Sequence, residues 1–317
     1  MRKMQYWVVL GGISVCLAAC GGGSSSGKAA EPEQKTETVQ QTEKSEEDTK
    51  KEAEQKEETK KAEPKEEKKT ASLEEQIIWE ENGLTVTAKG IEESLFGPEI
   101  KLLIENAGDR NLTVQARKAS VNGFMVDTMM SADVAAGKKV NAELTLSASD
   151  LKNSGIAELG EIEFVLHAFD SASWSDSFDS ETIHLETSIA GSFEQAVDES
   201  GELILDENGI RIFFQGYSED SSMFGPSVLL LIENDSDRDW TVQVRDCSVN
   251  GFMVDPMISA EIAAGKKGKK TIGFMKSELE KNEIDKIETA EFRFHIFDDK
   301  NWENNFDTEM INIVIPE

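Results

Sequence analysis

SVNGFMVD at Ser120–Asp127 is written a second time at Ser248–Asp255, and AAGKK at Ala135 recurs at Ala263. Both pairs are separated by 128 residues, so the spacing between the two motifs is the same in each copy. A duplicated unit of that length is a whole domain, which makes the chain a tandem array rather than one enzyme-sized fold. Each copy also carries Asn-Gly, at Asn122-Gly123 and Asn250-Gly251, the dipeptide favoured by a tight two-residue hairpin turn.

The rest of each unit extends outward from that hairpin. IIWEENGLTV at Ile77 and LILDENGIRI at Leu203 place two β-rich runs around a second Asn-Gly, at Asn82-Gly83 and Asn208-Gly209. EIKLLIEN at Glu99 matches SVLLLIEN at Ser227, with Ile100, Leu102 and Ile104 corresponding to Val228, Leu230 and Ile232 on one face. TVQAR at Thr113 and TVQVR at Thr241 alternate: Val114 and Ala116, like Val242 and Val244, point inward, with Gln and Arg outward. SASDLKNSG and MKSELEKNE read as one or two capped helical turns. The closing long strand is EIEFVLHAFD at Glu161 or TAEFRFHIFD at Thr289, partnered by the segment after Trp174 or Trp302. About seven short strands, with turns every ten residues or so, predict an all-β chain of two tandem immunoglobulin-like β-sandwiches, a closed barrel being the alternative. Residues 73–187 form repeat 1, 188–201 the link and 202–317 repeat 2. The link reads as either a flexible hinge or a short docked helix.

The N-terminus carries an address. Arg2 and Lys3 precede an apolar run, Tyr6 to Ala19, that is short for a bilayer span, and small residues then lead to Cys20. Leu17-Ala18-Ala19-Cys20 resembles the lipobox of bacterial lipoproteins, which implies that residues 1–19 are a signal peptide and that Cys20 is diacylated and becomes the mature N-terminus. A plain signal peptide with a chance cysteine is the alternative. GGGSSSG after Cys20 is a flexible lead, and the Glu/Lys-rich stretch to residue 69 has too little apolar content to bury a core. Residues 20–72 are therefore expected to form a disordered stalk, which as a coil would hold the domains on the order of 40 Å from the lipid. Localisation follows: lipid-anchored on the outer face of the cytoplasmic membrane. Of the remaining cysteines, Cys16 leaves with the signal peptide and Cys247 is left without a partner for a disulfide. Ala119 stands where repeat 2 has Cys247, which indicates a small buried position.

The order IEN, acidic turn, TVQxR, SVNG, AGKK and F-x-H-x-FD resembles the immunoglobulin-like domains of unknown function found on lipoproteins of Gram-positive bacteria. The resemblance implies an extracellular sandwich with no established catalytic residues.

Charge narrows the partners. The net charge of −29 lies almost wholly on the domains: residues 73–187 carry 8 basic against 21 acidic groups, and residues 188–317 carry 12 against 27. Such a surface repels nucleic acid and anionic lipid. Lys138-Lys139 and Lys266 to Lys270 are local exceptions, read as solvated turns. His167 and His295 fall at the same strand position, but one histidine per domain without neighbouring His or Cys is poor for zinc, and a hydrogen-bonded structural role is preferred. Asp170 and Asp179, like Asp298 and Asp307, bracket the tryptophan loop; Ca²⁺ is a minor reading beside turn capping. No catalytic residue, cofactor or metal ligand is assigned. Phe124 and Met125, with Phe252 and Met253, follow the Asn-Gly turn and are core if alternate residues point inward or a partner surface if exposed. Met129 and Met130, or Met257 and Ile258, follow closely. The expected function is a tethered binding or scaffolding protein acting on an envelope protein or wall glycan, with a spacer lacking a discrete ligand as the alternative and a hydrolase the weakest reading.

Overall fold

A computed structural model describes residues 71–173, 176–219, 225–298 and 300–315. The expected signal peptide, Cys20 and most of the expected stalk, together with Trp174, lie outside the described residues. No helix among the described residues is long and apolar enough to cross a membrane.

Repeat 1 comprises β1 (Gln76–Glu81), β2 (Leu84–Glu93), β3 (Pro98–Asn106), β4 (Leu112–Val121), β5 (Phe124–Met125), β6 (Thr128–Met129), β7 (Ser131–Val134), β8 (Lys138–Leu146), α1 (Ala148–Asn153), β9 (Glu161–Asp170), β10 (Ser177–Asp179) and β11 (Ile183–Glu186). Repeat 2 follows the same order: β12 (Glu202–Glu207), β13 (Ile210–Ser218), β14 (Ser227–Asn234), β15 (Trp240–Val249), β16 (Phe252–Met253), β17 (Pro256–Met257), β18 (Ser259–Ile262), β19 (Lys267–Phe274), α2 (Lys276–Lys281), β20 (Thr289–Asp298), β21 (Asn301–Asp307) and β22 (Ile311–Val314).

The chain is all-β, and each repeat is a sandwich rather than a closed barrel. In repeat 1, one sheet runs β1-β2-β3-β8-β6, while β9 and β4 head the other with β5, β7, β10 and β11. The alternation is direct: Ile162, Phe164, Leu166 and Ala168 on β9 lie beside Val114 on the neighbouring β4 and form one buried cluster with Ile100, Leu102 and Ile104 on β3 of the other sheet. Repeat 2 buries the corresponding Phe292, Phe294 and Ile296 with Val242, Val228, Leu230 and Ile232. Each such fully buried side chain contributes roughly 1.5–3 kcal/mol relative to exposure. The four Asn-Gly pairs take positive φ at both residues (51° and 81°, 49° and 85°, 53° and 80°, 50° and 82°), the conformation a type I′ turn requires.

Two asparagines lock the loops between sheets. Nδ2 of Asn106 donates to the carbonyls of Arg110 (2.7 Å) and Val134 (3.1 Å), and its Oδ1 accepts from Gly108 N (2.9 Å). Asn234 repeats this with Arg238 O (2.7 Å), Ile262 O (2.9 Å) and Ser236 N (3.0 Å). Both side chains are buried, so all three bonds replace water that cannot reach them. The short helices carry one cap between them: Ser147 accepts from Asp150 N at the start of α1, whereas Met275 opens α2 without a side-chain cap.

The described residues of both repeats belong to one compact unit. The second sheet of repeat 1 continues into the first sheet of repeat 2, because β5 lies parallel to β19. The link at 188–201 is neither a free hinge nor a helix. It runs as turns and irregular chain held by Gln195 against Asn122 (3.2 Å) and by Gln215, whose Nε2 donates to Asp198 O (2.7 Å) and Ser200 O (2.9 Å).

Candidate functional site: the duplicated hairpin

The hairpin that is identical in sequence has two different fates. In repeat 1, Phe124 and Met125 are 1% and 6% exposed; in repeat 2, Phe252 and Met253 are 50% and 67% exposed. The local build is the same in both. Asn122 Nδ2 donates to Glu158 O (2.7 Å) and its Oδ1 accepts from Gly160 N and Glu161 N; Asn250 does the same with Lys286 O (2.8 Å), Glu288 N and Thr289 N. The aspartate that ends each hairpin is tied to the following helix, Asp127 N to Asp150 Oδ2 (2.8 Å) and Asp255 N to Glu278 Oε2 (2.9 Å). Backbone and support are therefore equal, and only the surroundings differ.

In repeat 1 the surroundings are repeat 2. Lys267 N donates to Gly123 O at 2.9 Å, adding β5 to the edge of β19. Met125 packs into the buried cluster of repeat 2, and Phe213 and Leu231 of repeat 2 belong to the cluster of repeat 1. Three lysines frame the seam. Lys118 Nζ reaches Asp239 Oδ2 (2.6 Å) and Glu261 Oε1 (2.8 Å), Lys266 Nζ reaches Glu163 Oε2 (2.5 Å), and Lys270 Nζ reaches Asp127 Oδ1 (3.3 Å). Lys118 sits on the β4 bulge between Arg117 and Ser120 with φ 52°, so the bulge aims its ammonium across the junction. Burial pulls the Lys118 pKa down, but its two carboxylate partners outweigh that and hold it above the ordinary value. For Asp239, burial acts upward, while the Lys118 ammonium and the Ala264 N–H prevail and hold the carboxyl below its usual range.

The lysine cluster at 266–270 thus departs from the expectation of a solvated turn. Lys266 and Lys270 bind repeat 1, Lys267 pairs with the fully buried Glu233, and Lys269 bonds Gln215 and the link carbonyl of Asp198 (3.2 Å). Burial lowers the Lys269 pKa, with Asp198 opposing. Lys138 and Lys139 in repeat 1 are exposed. An open groove of about 780 Å³ runs beside the junction between Asn153 of repeat 1 and Gln215, Met257 and Lys269 of repeat 2.

The remaining candidates divide as follows. His167 Nδ1 lies 2.5 Å from Asp179 Oδ1 and His295 Nδ1 2.7 Å from Asp307 Oδ1, each ring beside a phenylalanine, Phe169 or Phe297. Asp170 and Asp298 each accept a backbone N–H two residues on, from Ala172 and Lys300, in the turn that follows. The four aspartates are thereby committed to histidine and turn contacts, and no cluster of three metal-ligating side chains occurs among the described residues. Trp302 stacks on Phe297 at 4.9 Å and is exposed. Met129 and Met257 are exposed beside the hairpins. Cys247 is buried, with its thiol pushed up to about 12 by burial and by the nearby Glu278 and Asp255 carboxylates.

Lys118, Asp239, Glu261 and Asp246 were not singled out by sequence reading. The signal that marks Lys118, Asp246 and Asp239 is difference within identity, since at the shared spacing Lys118 is replaced by Asp246 and Asp239 by Asn111, whereas Glu261 is matched by another acid, Asp133.

No family model matches the sequence, and no curated protein matches it. Among solved structures, the chain is similar to the YadV chaperone at 15% identity, covering 68% of this chain and 92% of that one with a TM-score of 0.23. The Salmonella enterica SafA pilin in complex with the SafB chaperone gives 11% identity, 68% and 89% coverage and a TM-score of 0.20. Red sea bream transglutaminase gives 10%, 75% and 32%, with a TM-score of 0.19. At TM-scores this low the likenesses carry no argument about this chain.

Proposed function

We propose that the protein is a lipid-anchored extracytoplasmic lipoprotein whose two β-sandwiches form a non-catalytic binding or scaffolding module, with Phe252 and Met253 as its interaction site. Leu17-Ala18-Ala19-Cys20 supports the anchor, and the apolar-poor stretch behind it supports a stalk. The observation that carries the binding reading is the exposure of Phe252 and Met253 on a hairpin whose twin closes an interface in the same molecule. An exposed apolar hairpin already built to add to a sheet edge is a docking element.

The spacer reading keeps one observation in its favour. A sheet continuous through both repeats, flanked by three charged contacts, makes a stiff body suited to holding a distance. Crosslinking on intact cells with a photoreactive residue at position 252, followed by mass spectrometry, separates the two, with Cys20→Ala as the untethered control. A discrete envelope protein joined through 252 is the expected result. Nothing above the control would overturn the binding reading and leave the spacer.

A further inference from the structure

The same junction that buries the first hairpin also specifies what the second one can accept. On the donating side, the three charged positions that meet a receiving sheet edge are Lys118, Asp127 and Glu163. Their counterparts in repeat 2 are Asp246, Asp255 and Glu291, so all three positions are acidic there, with Asp246 also paired to Arg293 (2.8 Å), which stands where repeat 1 has Val165. Among the described residues β16 ends its sheet, paired with β15 alone, so its outer backbone edge is placed as that of β5 is to β19.

A second copy of this chain is the first occupant to consider, since repeat 1 has its own β8 edge with Lys138 and Lys139 exposed. Head-to-tail addition would repeat the internal junction and give an open filament. The charges oppose it. Lys138 keeps its partner in Glu291, but Ala142 stands where Lys270 met the hairpin aspartate. Asp246 would face Asn111 and Asp133, the counterparts of Asp239 and Glu261, so an attractive pair becomes carboxylate against carboxylate. The apolar part also weakens, with Thr87 at the place of Phe213 in the matching strand.

We infer, building on the binding reading above, that the Phe252–Met253 hairpin adds to a basic β-sheet edge of a different protein, one with cations opposite Asp246, Asp255 and Glu291, and that the acidic Asp246 bars this chain from adding to itself. Like charges brought face to face suppress a wrong partner, and close opposite charges select the right one.

The charge arrangement is tested in the full chain bearing Cys20→Ala, by sedimentation at low salt. Wild type pairs acid with acid across the trial seam and is expected to stay monomeric. Asp133→Lys gives repeat 1 a basic receiving edge, and Asp246→Lys gives repeat 2 the residue repeat 1 accommodates at φ 52°, although there it lies beside Val165 and here it replaces the partner of Arg293. Each single variant is expected to self-associate at least tenfold more tightly than wild type, and the double variant to return to monomer as two lysines meet. Adding Phe252→Asp to either single variant abolishes association. Asp133 and Asp246 are both exposed, and thermal melts verify that each variant is folded. Wild type that already associates through Phe252 would overturn the foreign-partner inference in favour of a second copy. Single variants that stay monomeric, or association that survives Phe252→Asp, would overturn the docking mode. Neither result bears on whether the cell supplies a partner, which the crosslink at 252 decides separately.

Discussion

Methionine to alanine at the two equivalent hairpin positions is predicted to have unequal cost. Met125 is 6% exposed and packs into the core of repeat 2, whereas Met253 is 67% exposed. Truncation at 125 removes three heavy atoms from a packed site, and the transfer and cavity contributions together amount to ~2–4 kcal/mol. At 253 the same atoms already face water, so the change should fall within ~0.5 kcal/mol. Urea unfolding of the full chain, followed by tryptophan fluorescence, reads the difference as a displaced midpoint in the transition that opens the junction. Because the hairpin sequence is identical in the two copies, turn propensity and unfolded-state effects largely cancel in the comparison. Equal costs at 125 and 253, or a cost at 125 below about 1 kcal/mol, would refute the junction as described.

Three further outcomes follow from the same geometry. Glu233 is fully buried between Arg211 Nη2 (2.6 Å) and Lys267, so Glu233→Ala should cost ~3–5 kcal/mol in urea unfolding, while Glu105→Ala, in the equivalent pair with the exposed Lys139 where Glu105 itself is half-buried, should cost less than ~1 kcal/mol. Cys247, with its thiol raised to about 12, should resist alkylation at pH 8 in the native chain and react fully in urea; fast native labelling would contradict its burial. The junction should weaken at both pH extremes. Asp239 is held below its ordinary 3.8, so the stability it adds is present above that value and fades as pH falls through its folded pKa; Lys118 is held above 10.5, so its share is present below that value and fades as pH rises past its folded pKa. Urea midpoints across pH should lose this dependence in Lys118→Met, and an unchanged profile there would count against the pair.

Much of the fold is legible in the residues themselves. Asn-Gly demands positive φ at both turn positions, and all four pairs take it. The alternation on β9 and β20 is strict enough that parity alone separates Phe164, Leu166 and Ala168 from Glu163 and His167. These signals are local: they depend on a residue and its nearest neighbours. The junction is not local. Phe124 and Phe252 sit in identical octapeptides, so no property of the octapeptide distinguishes a buried hairpin from an exposed one. What distinguishes them is the neighbour each hairpin meets: β19 takes up the first, and the second stands exposed. The lysines at 266–270 mislead for the same reason, because a basic turn in isolation is a solvated turn. Asn106 and Asn234 were read as part of a strand motif, whereas their work is done by side-chain amides reaching loops up to 28 residues away. The charge differences between copies, Lys118 against Asp246 above all, were readable but acquire meaning only once the contacts are placed.

The hairpin is covered by the chain itself in repeat 1 and exposed in repeat 2, where the proposed function places a partner. Mild peroxide oxidation read by mass spectrometry measures both halves at once, since methionine sulfoxide forms where sulfur meets solvent. In the purified chain, Met253 should oxidise at least tenfold faster than Met125 and comparably to the exposed Met129. On intact cells, Met253 should be protected while Met129 stays reactive. Met125 oxidising as fast as Met253 would contradict the junction, and Met253 oxidising equally on and off the cell would contradict its cover by a partner.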